Sequence, residues 1–93
     1  VVRRFLSEEE LRQIQPGEKA ARTQITCWSA KEAVFKCSGI PNIQFNQHIQ
    51  IHPFNLEKEG KFLAKLQSGS TKSHFSLSYF FIKNNVVVCC VEV

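Results

Sequence analysis

The chain has 93 residues, which is enough for one small domain and too short for two. Apolar residues make up 43% and charged residues 22%, and this balance excludes an intrinsically disordered chain. The longest apolar run, residues 86–91, is far shorter than the about 20 residues of a transmembrane helix. The net charge of +4 favours acidic partners without identifying one.

Two helices are predicted in the first part of the chain. Residues 7–10 have the capping-box pattern, in which Ser7 accepts a hydrogen bond from a first-turn amide and Glu10 accepts one from the amide of Ser7. The short helix that follows ends before Pro16. A longer helix is predicted over residues 20–38, and Gly39 is suited to the left-handed conformation that ends it.

The rest of the chain predicts four strands, over residues 43–51, 61–67, 73–82 and 86–93. The first three alternate between apolar and polar residues. The fourth is almost wholly apolar, which predicts a central strand covered on both faces. Asn84-Asn85 suits a tight hairpin turn before it. Two helices followed by four strands predict an α+β fold, with the long helix packed on an antiparallel sheet.

The four cysteines do not have the spacing of a disulfide framework or a zinc site. Cys27 and Cys37 are separated by about 15 Å along the predicted helix. Cys89 and Cys90 are adjacent on a predicted strand, so their side chains point to opposite faces. We therefore predict reduced cysteines and a cytoplasmic protein.

Three residues of the long helix form a polar and aromatic stripe. Trp28, Glu32 and Lys36 follow one another at intervals of four, so they share one helix face, and Lys31 borders it. By spacing alone, the pattern favours an ordinary ion pair of Glu32 with Lys36 on a solvated face, and a Trp28 that is wholly or partly in the core.

Two segments of the sequence resemble the 4'-phosphopantetheinyl transferase superfamily. The run Trp-Ser-x-Lys-Glu-Ala-x-x-Lys-x-x-Gly at residues 28–39 resembles its signature helix. The segment at residues 3–11, Arg-Arg-Phe-Leu-Ser-Glu-Glu-Glu-Leu, is similar to a second family segment upstream. Downstream of Gly39 the resemblance is to the C-terminal half of the surfactin-synthetase-type enzymes, and is mainly one of strand order.

The resemblance implies an activity and a site. Such enzymes transfer the 4'-phosphopantetheine group of coenzyme A to a serine of an acyl or peptidyl carrier protein, as in holo-acyl-carrier-protein synthases, and release 3',5'-ADP. It implies that Glu32 is a catalytic Mg²⁺ ligand beside the pyrophosphate, where it could also accept the proton of the serine. Lys36 would be catalytic and contact the phosphates, and Lys31 and Trp28 would also bind coenzyme A. A divalent cation and an ammonium suit this chemistry because negative charge develops on phosphoryl oxygens.

The resemblance also implies an acidic carrier protein as partner. The arginines could steer its acidic helix, although a solvated basic surface explains them equally well. No nucleic-acid partner and no membrane are predicted, because +4 is a slight charge for nucleic-acid binding and the aromatic residues of the strands suit a sheet core. The arginines concerned are Arg3, Arg4, Arg12 and Arg22.

The sequence departs from the family pattern at its start. Family members carry an Asp-x-Glu pair, the other Mg²⁺ ligands, upstream of the segment matched by residues 3–11, and the chain begins at Val1 without a methionine. We therefore expect residues 1–93 to be a single domain, the C-terminal lobe of a longer transferase, or a chain that associates with further copies of itself. The alternative is a non-catalytic binding module that keeps the fold.

Overall fold

The computed structural model describes residues 4–93. The four strands form one antiparallel sheet in the order β1-β2-β3-β4, so the α+β prediction is confirmed. Within the described residues, no helix is both long and apolar enough to cross a membrane. The elements in chain order are α1 (Glu8–Gln13), α2 (Ala20–Ser38), α3 (Phe45–His48), β1 (Ile49–Ile51), β2 (Glu59–Ser68), β3 (Thr71–Ile82) and β4 (Asn85–Glu92).

The predicted start of α1 and the predicted end of α2 are both present. The Ser7 hydroxyl accepts from the Glu10 amide at 3.1 Å, and a Glu10 carboxylate oxygen accepts from the Ser7 amide at 2.9 Å, which completes the capping box of α1. Gly39 ends α2 with φ of 68°, and its amide donates to the Phe35 carbonyl. Glycine suits this position because a Cβ atom disfavours positive φ.

The prediction of one strand over residues 43–51 is wrong. The first part of this segment is the short helix α3, and only β1 pairs with the sheet. The Gln44 amide donates to Nδ1 of His48, and the His48 amide donates to the Gln44 carbonyl, which closes a helical turn. The carbonyl of Phe45 also accepts a hydrogen bond from Lys31 on α2. Alternation of apolar residues could not reveal these contacts, because a tertiary partner holds the turn.

The prediction that the last strand is central and covered on both faces is also wrong. β4 lies at the edge of the sheet beside β3 alone. Its inward residues, such as Val88 and Cys90, pack against the core, whereas Val87 and Val91 on the other face are 36% and 63% exposed. A continuous apolar run favours burial on both faces, but nothing within residues 4–93 covers the outer face.

The two long hairpin strands extend beyond their predicted limits by a few residues. β2 and β3 pair in register from Glu59 opposite Phe80 to Ser68 opposite Thr71. The following turn is Lys83-Asn84, because Ile82 pairs with Asn85. The positive φ of 57° is at Lys83, one residue before the predicted turn pair.

The core lies between α2 and the inner face of the sheet. Cys27, Ala30, Val34 and Cys37 form a separate apolar face at helical spacing on α2; the first three are buried as this spacing predicts, whereas Cys37 is exposed. β4 packs along α2, and the apolar residues of β2 and β3 that alternation placed inward supply the sheet side. These buried sheet residues are Phe62, Ala64, Leu66, Phe75, Leu77 and Tyr79.

The opposite, outer face of the sheet exposes several large apolar residues. Leu63 is 49% exposed and Phe80 is 42% exposed, and Val87 and Val91 continue the same face on β4. Scattered apolar residues are normal on protein surfaces, but a continuous apolar face is typical of an interface.

The four cysteines are free thiols in different environments. Burial raises the pKa of Cys27 to about 12, with the negative charge of Glu10 adding to the effect. Burial and the adjacent Cys37 thiol raise the pKa of Cys90 to about 12. Cys37 and Cys89 are exposed.

We therefore expect iodoacetamide to modify Cys37 and Cys89 well before Cys27 at about pH 8, because the reagent needs both access and a thiolate. Mass spectrometry of peptides after timed labelling measures the order. Labelling in concentrated guanidinium chloride is the control, and there all cysteines should react at similar rates. Equal rates in the native protein would contradict the packing of α2 on the sheet.

Candidate functional site

The predicted stripe on α2 reaches the surface. Trp28 is 43% exposed, Lys36 is exposed and Glu32 is half-buried, whereas Ala30 and Val34 on the same helix are fully buried. Successive stripe residues are four positions apart, so they lie one helical turn from each other. A carboxylate and an ammonium are thus presented together on a rigid helix.

The ion pair expected of an ordinary solvated face is not formed. In the part of the chain that the structure describes, the salt bridge is between Lys31 and Glu10. Neither the Glu32 carboxylate nor the Lys36 ammonium has a hydrogen-bond or ion-pair partner among residues 4–93. Their charged groups are therefore available to a ligand.

An aromatic cluster holds Trp28. Its ring lies 5.4 Å from the ring of Phe5 in an edge-on arrangement and 5.6 Å from that of Phe45. Phe45 also lies 5.7 Å from Phe35, so the side chain from α3 touches two aromatic residues of α2. Such contacts stabilise a defined ring position. The sequence did not predict this cluster, because the segment that carries Phe45 was interpreted as a strand.

Lys31, predicted to bind the cofactor, is fully buried. Its Nζ donates to Oε1 of Glu10 at 2.7 Å and to the carbonyl of Phe45 at 2.8 Å. Burial lowers the pKa of Lys31, and the hydrogen bond and charge of Glu10 act in the opposite direction. Both acceptors belong to the fold, so Lys31 joins α1, α2 and α3. Its role in cofactor binding stays a prediction.

Glu10 connects three elements through one carboxylate. Besides Lys31, its Oε1 accepts from the Ser7 amide, and its Oε2 accepts from the Ile51 amide of β1 at 2.7 Å. Only 5% of the residue is exposed. The capping box predicted the role of Glu10 at the start of α1 but not its bond to Lys31. The burial of Lys31 could have been expected, because it lies at helical spacing from Cys27 and Val34, and a buried lysine needs a counterion.

The donor set at the stripe fits one part of a magnesium site. Within residues 4–93, no group of three or more His, Cys, Asp or Glu side chains could hold a metal. Mg²⁺ commonly takes only one or two carboxylates from a protein and completes its octahedron with phosphate and water. The half-buried, unpaired carboxylate of Glu32 could serve as one such ligand. The described residues do not supply a group of further acidic ligands beside it.

The arginines expected to steer a partner are on the surface where the structure describes them. Arg4, Arg12 and Arg22 are exposed, and Arg22 contacts the β3–β4 hairpin. Arg3 lies outside the described residues. The alternatives of a docking surface and a solvated surface therefore both remain compatible with their placement.

The fold and the stripe together define an α+β domain whose long helix presents a carboxylate and an ammonium group at its surface, neither paired with another described residue. The family model of ACPS, the 4'-phosphopantetheinyl transferase superfamily, matches residues 1–91, and the chain belongs to this superfamily. The chain itself matches no curated protein and no solved structure. Membership supports phosphopantetheinyl transfer as its general activity.

Proposed function

We propose that this chain belongs to a holo-carrier-protein synthase and that its residues Glu32, Lys36 and Trp28 bind coenzyme A. The reaction moves 4'-phosphopantetheine to a serine of an acyl or peptidyl carrier protein and releases 3',5'-ADP. The observation that carries the proposal is the pair Glu32 and Lys36, which stand one turn apart without partners among the described residues. Superfamily membership supplies the reaction class.

The proposed roles follow from the charges of the side chains. Glu32 holds Mg²⁺, which when bound neutralises negative charge on the pyrophosphate oxygens. Lys36 contacts the phosphates and stabilises the charge of the leaving group. The serine oxygen bonds to the phosphorus of the pantetheine phosphate as the bond to 3',5'-ADP breaks, and Glu32 accepts the serine proton. Trp28 binds coenzyme A through the exposed part of its indole.

The surroundings of the stripe contribute rigidity. A catalytic pair must keep its geometry within about 0.5 Å, which favours a helix supported by buried contacts. The ion pair of Lys31 with Glu10 fixes α2 to α1, and the Phe45 carbonyl fixes it to α3. We infer that this support positions the stripe, and that Lys31 reaches the cofactor only if the bound state rearranges it.

We also propose that the domain works in the cytoplasm with further protein around it. The outer face of the sheet, with Leu63, Phe80 and Val91 exposed, suits a contact with another domain or with a second copy of the chain. The exposed Arg4 and Arg12 are the basic residues that we propose to face the acidic carrier protein.

The test is carrier-protein loading by the full-length protein. We expect Glu32→Gln to lower the loading rate with coenzyme A and Mg²⁺ by about 10²–10³-fold, the effect of losing one transition-state contact. Mass spectrometry of the carrier protein, which gains the phosphopantetheine group, measures the rate. Glu18→Gln, an exposed acid in the turn before α2, is the matched control and should leave it unchanged.

Undiminished loading by Glu32→Gln would reject Glu32 as a metal ligand. Binding of coenzyme A without any loading, by the full-length protein, would favour the non-catalytic binding module.

A further inference from the structure

A surface cavity of about 390 Å³ lies at the end of α2 where the helix begins. We call it the basic cavity. Four cationic side chains and one carboxylate line it, together with two apolar residues. The lining residues are Lys19, Arg22, Leu56, Glu57, Lys58, Phe81 and Lys83.

Uncharged groups hold two of these cations in place. Arg22 donates to the side-chain oxygen of Asn84 at 3.0 Å, and its guanidinium lies 5.2 Å from the centre of the Phe81 ring. Lys19 donates to the carbonyl of Leu56 at 3.2 Å. These contacts orient the two cations and leave their charge uncompensated.

None of the four cations forms a salt bridge within the described residues. The ion pair present there is the one between Lys31 and Glu10, so even Glu57 in the wall does not pair with a neighbouring cation. Like charges gathered around a concave surface concentrate a positive potential and raise the local concentration of anions. The cavity therefore has the electrostatics of an anion site.

The basic cavity is separate from the stripe. Arg22 and Glu32 are ten residues apart on α2, which corresponds to about 15 Å along the helix axis. The lining residues do not include Trp28, Glu32 or Lys36. The proposed transfer reaction makes no use of this end of the helix.

We propose that the basic cavity binds a small molecule that carries a diphosphate group. Its volume is within the range of about 300–1,000 Å³ of small-molecule sites. Two adjacent phosphates match several unpaired cations better than one monoanion does. Arg22 can contact a phosphate through two parallel hydrogen bonds, and the lysines act as point charges. The proposal does not depend on the transferase activity.

The test is calorimetric titration of the full chain with inorganic pyrophosphate, with EDTA present so that no divalent ion bridges the ligand to Glu32. We expect saturable binding at one site per chain. The double variant Lys58→Gln/Lys83→Gln should weaken it by at least about tenfold, which corresponds to about 1.4 kcal/mol. Orthophosphate should bind about tenfold or more weakly than pyrophosphate, because it offers fewer contacts.

The matched control removes two positive charges from the sheet, away from the cavity lining. Lys65→Gln/Lys72→Gln changes two lysines that do not line the cavity and should leave the affinity unchanged. Lys36→Gln should also leave it unchanged, which separates this site from the stripe. Equal weakening by both double variants, or no saturable binding, would overturn the proposal. So would cavity-dependent binding of an acidic peptide in place of pyrophosphate.

Titration with ADP identifies the source of the diphosphate. Binding of ADP that is tighter than that of pyrophosphate, and equally sensitive to Lys58→Gln/Lys83→Gln, assigns the cavity to a nucleotide. Weaker binding of ADP assigns it to free pyrophosphate. Both results retain the diphosphate as the recognised group.

Discussion

Lys31→Ala should lower the free energy of unfolding by about 3–5 kcal/mol, the usual effect of removing one partner of a buried ion pair. The variant leaves the Glu10 carboxylate, 4% exposed in its side chain, without its cation. It also removes the donor to the Phe45 carbonyl, one of the contacts that hold α3 against α2. A domain of this size has a total stability of about 5–14 kcal/mol, so much of it would be lost. Denaturation by urea, followed by circular dichroism, measures the change.

A second variant separates the ion pair from the loss of packing. Glu10→Gln/Lys31→Met removes both charges, keeps one oxygen acceptor at Glu10 and keeps most of the lysine volume. It should be less destabilised than Lys31→Ala, because no unpaired charge stays buried. Lys72→Ala, at an exposed position on β3, is the control and should change stability by less than about 0.5 kcal/mol. If Lys31→Ala were as mild as this control, the ion pair would not be a structural contact.

The same variants test the predicted cofactor role of Lys31. A residue that acts only through the fold should change loading in proportion to the fraction of folded protein. A contact with coenzyme A should instead raise the KM for coenzyme A in Glu10→Gln/Lys31→Met at a temperature where the variant is fully folded. An unchanged KM in folded protein would reject the cofactor role.

Phe75→Ala should also destabilise the fold by about 3–5 kcal/mol. Phe75 is completely buried near the middle of the sheet, on the face that packs against the core. Truncation removes apolar contacts and leaves a cavity that rigid sheet neighbours cannot fill. Thermal and urea unfolding measure the change in stability.

Phe80→Ala is the matched control, because the same residue type on the same strand faces the other side of the sheet. Phe80 is 42% exposed, so its loss should change stability by less than about 1 kcal/mol. Similar losses for both variants would show that the outer face is covered in solution, by a second copy or another domain. Sedimentation measurements on the wild-type chain would then identify that association.

Some features were predictable because they depend on neighbouring residues. The capping box of α1, the Gly39 end of α2 and the inward residues of β2 and β3 all follow from local hydrogen bonding or from a fixed period. The placement of Trp28, Glu32 and Lys36 on one helix face follows from the helical period in the same way. Family membership was predictable from residues 3–11 and 28–39.

The order of helices and strands could be predicted from local patterns, and so could the face that Glu32 and Lys36 share, because backbone period and capping act over a few residues. Three features come from the folded arrangement alone: the choice of Glu10 as the partner of Lys31, the short helix that begins at Phe45, and the edge position of β4. These outcomes depend on partners many positions away, and the free energy of burying a charge or covering a strand is set by those partners.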